Sequence, residues 1–583
     1  MTQSAAFLNV SCSATGRRWT GPTDAQERHA EAIAQATDLP RPVCLTLARR
    51  GVEPQEAPGY LAPALRELLP DPHRLRDMER AAARFLDAVR AGERIAIFGD
   101  YDVDGAASAA LLLAWLRAMG RDATLYVPDR IAEGYGPNAA AMQHLAGGHD
   151  LIICVDCGTL AHDALAAVQD ADVLVLDHHI GGETLPPAHA VVNPNRQDEP
   201  GGLGHLCAAA VVFLMLVETG RQMRAQNLSG PDLMSMLDLV ALATVADVAA
   251  LTGVNRALVR QGLRVMAQRA RPGLVALADI ARLDTAPSAH HLGFVLGPRI
   301  NAGGRIGQAD LGARLLATAD HSEAAALAER LEALNSERRE MEAAVRAQAM
   351  DQAQARGMDC PLVWAAGEGW HPGVVGIVAA RLKEAANRPA VVIGLDGDAG
   401  TGSARSVSGV DIGVAIQRLV SEGVLLKGGG HRMAAGLQVS REMLEPAMAR
   451  LGALLARQGA DALGPADMVL DGLLMPQAAT TDLIERLDAA GPFGAGAPAP
   501  RFAFADMAIL SARRIGETHL RLTFGDGLGA RLDAVSFGAF DGPLGPMLHD
   551  HGGLRYHLAG RLEINDWGGR RRVQLRLEDA ARA

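Results

Sequence analysis

Lysine is nearly absent from this chain: of its 56 basic residues, all but Lys383 and Lys427 are arginine. With so much alanine and glycine, a GC-rich coding bias accounts for that preference, so arginine abundance alone is no evidence for phosphate binding. Cysteine is scarce as well. Six residues (Cys12, Cys44, Cys154, Cys157, Cys207 and Cys360) scattered over 583 make no disulfide framework, which fits a reducing cytoplasm. No apolar run approaches the ~20 residues that cross a bilayer. The opening MTQSAAFLNVSCSATGRRW has no basic segment followed by an apolar core, so a cytoplasmic protein with no membrane association is expected. A basic excess is missing too. The net charge of −11 argues against coating nucleic acid by bulk electrostatics but leaves room for a local basic channel.

What is present is a chain of several textures. At ~100–200 residues per domain, the length predicts three or four domains. Residues 1–60 carry little pattern beyond short helical stretches and a turn-like passage at 53–58, and are read as an accessory segment. From Arg94, short apolar runs (RIAIFG, ATLYVP, DLIICVD, DVLVLD, AVVNP) alternate with Ala-rich helical stretches, the first spanning 106–119. That alternation predicts an α/β fold, a parallel sheet with helices on both faces and a ligand crevice at the strand ends. Helical texture dominates 206–355. Its last part, from Ser322, reads as one long helix bridging two lobes, with a coiled-coil dimer as the alternative. A second, smaller α/β region carries PLVWAA and PAVVIGL. The last ~118 residues give short strands between Gly and Asp turns, the texture of a small closed β-barrel. The expected boundaries are 1–60, 61–260, 261–356, 357–464 and 465–583.

The sharpest chemistry lies at strand ends. FGDYDVDG places Asp100, Asp102 and Asp104 after one strand, VDCG places Asp156 after another, and VLDHHI places Asp177, His178 and His179 after a third. In a parallel sheet these converge on one edge, where repelling carboxylates call for a cation. Oxygen donors with imidazole suit Mn²⁺ particularly well, Mg²⁺ also, and Zn²⁺ less without thiolates. Taken singly, DxDxD is often a solvated turn or helix cap, and a His-His pair is often structural; three such elements together favour a site. Asp247 interrupts the apolar run LDLVALATVADVAAL and needs a partner there. Cys154-x-x-Cys157 is half a zinc site with no second pair.

GDYDVDG, VDCG, LDHH and TVADV, in this order and spacing, resemble the four motifs of the DHH phosphoesterases. GPRINAGGRIG, GWHPGVVGIVAARL, GSARSVSG and GGGHRMAAG resemble the RecJ branch of that superfamily with its DHHA1 domain, and PFGAGAPAPRF with the strands after it resembles the branch's OB-fold. The resemblance covers roughly residues 50–583. It implies a DHH catalytic domain joined by a long helix to a DHHA1 domain, followed by an OB-fold, and a metal-dependent, single-strand-specific DNA exonuclease that works from the 5′ end to mononucleotides in recombination and repair. Asp102, Asp104, Asp156, His178 and Asp247 match the family's metal ligands, with Asp100 and His179 close by and Asp177 orienting the histidines. Many DHH relatives have a histidine where this chain has Phe98; Asp100 or water could stand in for it.

Two metals would activate a water and stabilise both reacting oxygens. Ser403, Arg405 and Ser406 suit a terminal phosphate, which the resemblance places at the 5′ end, and Arg130 could reach it. Arg299, Asn301 and Arg305 could grip the strand's backbone, or cap a helix. Gly429 and Gly430, before His431, let backbone N–H groups approach phosphate. His371 could contact substrate or cap a helix. In the C-terminal segment 13 arginines face 15 acids, and only Arg570, Arg571 and Arg572 beside Trp567 cluster with an aromatic; they could serve single-strand binding or be solvated turn residues. Expected partners are single-stranded DNA, a helicase and a single-strand-binding protein; a monomer is expected. The alternatives are a DHH enzyme of oligoribonucleotides, cyclic dinucleotides or nucleoside bisphosphates, whose members are typically shorter and lack the barrel, and a silent scaffold, against which the intact acids count.

Overall fold

The computed structural model describes residues 5–129, 133–567 and 570–583. The chain divides into two compact units: residues 70–249 with 258–464, and residues 5–69 with 250–257 and 465–583. Among the described residues no helix is long and apolar enough to cross a membrane.

The first unit opens with a five-stranded parallel sheet in the order Thr124–Tyr126, Ile95–Gly99, Leu151–Val155, Asp172–Leu176, Ala190–Val192. Ile95–Gly99 and Leu151–Val155 are buried throughout, which is why they read as continuous apolar runs rather than alternating ones. Helical layers follow, among them Val103–Ala118, Ala208–Ala225 and Leu237–Ala246. The long charged run is a single helix, His321–Arg356, 36 residues and so about 54 Å long. It starts at Asp320, whose carboxylate accepts the N–H groups of Ser322 and Glu323. Leu331 and Leu334 of this helix meet the Gly297–Ile306 helix and the glycine after it. Further along, Val345, Ala349 and Ala353 share a core with Val374, Val378 and Val392 of the second α/β region. The helix therefore finds its apolar partners within its own chain.

That second region is a mixed sheet in the order Lys427–His431, Ala434–Ser440, Ala399–Arg405, Ala390–Asp396, Val363–Glu368, of which only the last pair is parallel. In the other unit, five long strands, Phe502–Ile515, His519–Gly525, Arg531–Ser536, Arg570–Arg582 and Arg555–Trp567, close into a barrel when the last pairs back onto the first. Phe502, Phe504, Phe524 and Leu575 fill it, and Ile33, Val43 and Leu47 from the N-terminal helices extend the same core. Arg18–Thr20 pairs in parallel with Asp467–Val469. Trp19, fully buried, donates its indole N–H to the equally buried Asp579 at 2.9 Å.

Candidate active site

Sheet register builds the acidic edge. Gly99 pairs with Val155, and Val155 with Leu176, so the next residues, Asp100, Asp156 and Asp177, leave the sheet at one level. Asp156 does so with φ +60, a left-handed conformation uncommon outside glycine that turns its side chain at the strand's end. Asp102 caps the Val103–Ala118 helix, its Oδ1 accepting from the N–H groups of Asp104 (2.9 Å) and Gly105 (3.2 Å). Gly105 has to be glycine: a Cβ there would lie 2.4 Å from the Asp100 carbonyl oxygen. Asp104, buried, accepts the first N–H groups of the Ala208–Ala225 helix, from Ala208 at 2.7 Å and Ala209 at 2.8 Å. Asp247 does not interrupt its helix as the sequence suggests. It ends it, because Val248 at φ +60 turns the chain immediately after Leu237–Ala246.

His178 sits at the centre of these acids. Its Nε2 lies 3.2 Å from Asp156 and 3.6 Å from Asp104, and its Nδ1 lies 3.8 Å from Asp247. Donor atoms of Asp104, His178 and Asp247 gather within 4.8 Å of one another, as do those of Asp100, Asp102 and Asp156. Those two sets share no residue; a third, Asp156, His178 and His179, overlaps both. Burial pushes the Asp156 carboxyl well above the usual range, reinforced by Asp104, Asp102 and Asp100. Burial likewise raises Asp104, and takes Asp247 to about 8 with the help of Asp104 and Asp102. A largely buried pocket of repelling carboxylates is a set of donors short of a cation. Its oxygen and imidazole atoms fit Mn²⁺ or Mg²⁺. Cys154 and Cys157 stay out of it: burial holds the Cys154 thiol up at about 12 and raises Cys157 as well, as expected of inert core thiols.

Asp177 is the anchor beneath the histidines. One oxygen accepts the His178 N–H at 2.7 Å, the His179 N–H at 3.1 Å and the His179 ring at 2.8 Å; the other accepts the Thr159 N–H and hydroxyl. Burial opposes its ionisation, but the hydrogen bond from His179 and the charge on that ring hold it well below the ordinary range. Burial works against charge on His179 too. The bond to Asp177 and the surrounding carboxylates outweigh that and raise it to about 9. Three supporting groups carry no motif that singles them out. Asn193 donates to the His179 carbonyl at 2.7 Å and Asn195 to that of His178 at 2.6 Å; the Tyr135 hydroxyl lies 3.1 Å from the His179 ring and 3.3 Å from the Asp156 carbonyl. The repeated Asn in VVNPN, directly after a strand, is the one signal that could have found two of them. Phe98 offers no ligand atom. It is fully buried and stacks on Tyr126, ring centroids 5.4 Å apart.

A second cluster forms around the first turns of the Pro372–Ala386 helix. His371 caps it, Nδ1 accepting the Gly373 N–H at 3.0 Å, and Arg305 donates to the Gly373 carbonyl at 3.1 Å. One turn on, Gly376 lies so close to Ser403 and Arg405 that a Cβ would come within 3.0 Å and 3.1 Å of their polar atoms. Gly373 and Gly376 share a helix face at this spacing, so Arg305, His371, Ser403 and Arg405 meet at one helix N-terminus, a favourable place for an anion. Ser406 turns inward, donating to the Val410 carbonyl at 2.8 Å. Arg299 and Asn301 are already engaged, Arg299 with Glu332 and the Val295 carbonyl, and Asn301 with the Val103 N–H beside Asp102 at 3.0 Å. Gly429, Gly430 and His431 lie on the sheet's edge strand. Gly430 owes its identity to packing, since a Cβ would fall 2.4 Å from the Ala434 carbonyl oxygen. Arg130 lies outside the described residues.

On the barrel, the side chains of Trp567 and Arg570 lie outside the described residues, and Arg571 pairs with Glu485. The aromatic that does stand out is Phe537, exposed, with the His519 ring 5.3 Å away and the Arg576 guanidinium 5.5 Å over its face. It sits in a strand-end VSFG that reads as ordinary barrel sequence.

Comparison with known proteins agrees with this geometry. Residues 94–244 match the DHH family N-terminal domain, 359–457 the DHHA1 domain and 470–579 the RecJ OB domain. The single-stranded-DNA-specific exonuclease RecJ of Salmonella typhimurium is 36% identical over 577 residues, covering 95% of this chain and 98% of that protein. Crystal structures of RecJ from Thermus thermophilus in complex with Mn²⁺ and with Mg²⁺ superpose with TM-scores of 0.79 and 0.72, at 30% identity; each alignment covers 97% of this chain, and 79% and 78% of those chains. An acidic strand edge, a DHHA1 domain and an OB barrel in one chain of this similarity place it: the chain belongs to the RecJ family.

Proposed function

We propose that this chain hydrolyses single-stranded DNA from its 5′ end to 5′-mononucleotides, as a metal-dependent exonuclease of recombination and repair. One observation carries the reading: a single compact unit holds both the buried acidic edge and, at the start of the Pro372–Ala386 helix, a cationic pocket. Asp104, His178 and Asp247 would hold one divalent cation, Mn²⁺ or Mg²⁺, and Asp100, Asp102 and Asp156 another. Bound there, the cations supply Lewis-acid activation of water and charge stabilisation at the attacking and leaving oxygens. Asp177 fixes the His179 ring and the backbone of both histidines, and His179 stands beside the phosphate being cut. Arg405, Ser403, Arg305 and His371 receive the terminal phosphate and so set direction. Arg299, Asn301 and Ser406 shape the strand's path and Gly429, Gly430 and His431 line it, while Arg130 is assigned to the same phosphate on its motif alone.

The labour divides along the chain. Residues 61–260 cut, 261–356 space the two pockets, 357–464 grip the 5′ end, 465–583 hold single strand, and 1–60 brace the barrel. A cytoplasmic monomer that relies on a helicase to expose single strand, and on a single-strand-binding protein to present it, completes the reading. The test is a DNA strand labelled at its 3′ end, incubated with Mn²⁺, Mg²⁺ or EDTA beside duplex and RNA controls. Progressive shortening with mononucleotide release, abolished by EDTA, is expected. Intact DNA alongside turnover of dinucleotides or nucleoside bisphosphates would move the assignment to the small-substrate DHH enzymes.

A further inference from the structure

Directly before the Gly297–Ile306 helix, residues Leu292–Leu296 form one turn of π-helix, an irregularity often found at functional sites. Leu292 and Leu296 are buried, while Phe294 between them exposes 74% of its surface. The His290 ring stacks against it, centroids 5.0 Å apart and planes 25° from parallel, so two flat rings stand preformed at the surface. This turn adjoins the acidic edge. A Cβ on Gly293 would lie 3.3 Å from Val245, and one on Gly297 would lie 3.4 Å from Ala246 and 3.9 Å from Val103. Val245 and Ala246 lead into Asp247, and Val103 stands between Asp102 and Asp104. Val248, next to Asp247, is itself 70% exposed at φ +60, a strained conformation for a β-branched residue. Apolar surface left open beside a site that takes a polyanion needs an occupant that is flat, apolar and part of that substrate.

Resting on the functional reading above, we infer that Phe294, backed by His290, is a stacking platform for a nucleobase of the strand held at the acidic edge. Phosphates are drawn to cations and to the helix start; bases need a π-face, and stacking on an aromatic ring accepts any of the four. The platform thus grips the strand without reading its sequence.

The experiment measures steady-state hydrolysis of single-stranded DNA and of the same strand with abasic residues in its first several positions. Phe294→Ala raises KM on the normal strand about tenfold, the scale of one lost stack, with the loss falling on KM rather than kcat. Phe294→Trp restores KM, and in EDTA its fluorescence is quenched by normal DNA but not by abasic DNA. On the abasic strand the wild-type chain and Phe294→Ala behave alike. Because Phe294 is exposed, an unchanged melting temperature confirms that the variants fold. Wild-type cleavage with an unaltered KM in Phe294→Ala overturns the platform alone; a wild-type chain that leaves both strands uncut overturns the active-site reading and the platform with it.

Discussion

The acidic edge and the cluster at the start of the Pro372–Ala386 helix carry opposite charges and are built by opposite means. At the edge, a parallel sheet aligns Asp100, Asp156 and Asp177 by register, and burial with neighbouring carboxylates raises the cost of charge on Asp156 until a cation must share it. At the helix start, two glycines three residues apart leave room for half-buried groups, Arg305 donating to the Gly373 carbonyl and Arg405 lying beside Gly376, so that positive charge gathers there without being stranded. The first site is built into buried strand ends; the second is assembled from half-buried groups around one helix start. On the proposed function, the difference separates cutting from gripping.

Variants can break that separation, beginning where the effect is largest. Asp104→Ala removes a carboxylate that also ties down the start of the Ala208–Ala225 helix, and should lower hydrolysis by about 10³-fold or more while single-strand binding in EDTA persists; nuclease assay and fluorescence anisotropy report the two quantities. Asp177→Asn, which keeps its shape but loses the charge that orients both histidines, should cost about 10–100-fold in metal affinity or rate, read from Mn²⁺ titrations of activity. Arg305→Ala acts on the other pocket. A charge-assisted contact to phosphate is worth roughly 1.5–3 kcal/mol, so KM for a 5′-phosphorylated strand should rise about tenfold or more, with kcat retained.

The smallest effect lies far from both sites. His73 pairs at 3.1 Å with the buried Glu218, and the hydrogen bond it donates to that carboxylate raises its pKa against the pull of burial. A raised histidine contributes its stability in full below the unfolded pKa of about 6.5 and loses it as pH climbs through the folded value. His73→Gln should therefore lower the melting temperature by a degree or two near pH 6, with the gap closing in alkaline solution, since His73 is half exposed and its pair is screened.

How much of this was legible in the sequence follows from the same contrast. The acidic edge was readable because parallel strands buried on both faces are unbroken apolar runs, and each ended in its acid. Asp247 was visible as a charge in an apolar run, but not as the residue that ends the helix. The second sheet hid three of its five strands. AGTGSAR and KGGGH carry glycine where strands usually carry β-branched residues; a Cβ would strike the Ile393 side chain at Gly400 and Gly402 and the Ala434 carbonyl at Gly430. The cluster at the start of the Pro372–Ala386 helix was legible as separate motifs but not as a cluster, since Arg305 and Gly373 are neighbours only after the fold brings them together. The partners of Arg299 and Asn301 were not legible either, because nothing local reveals Glu332 or the Val103 N–H. Residues 5–69 gave no hint that they join a core formed more than 400 positions later.

The most direct test of the account is to run Asp156→Ala and Arg405→Ala side by side on a 3′-labelled single strand bearing either a 5′-phosphate or a 5′-hydroxyl, with Mn²⁺. The account predicts that Asp156→Ala binds both strands and shortens neither, whereas Arg405→Ala shortens both and no longer distinguishes them. Undiminished hydrolysis by Asp156→Ala, or an intact preference for the 5′-phosphate in Arg405→Ala, would contradict the division of cutting from gripping on which the reading rests.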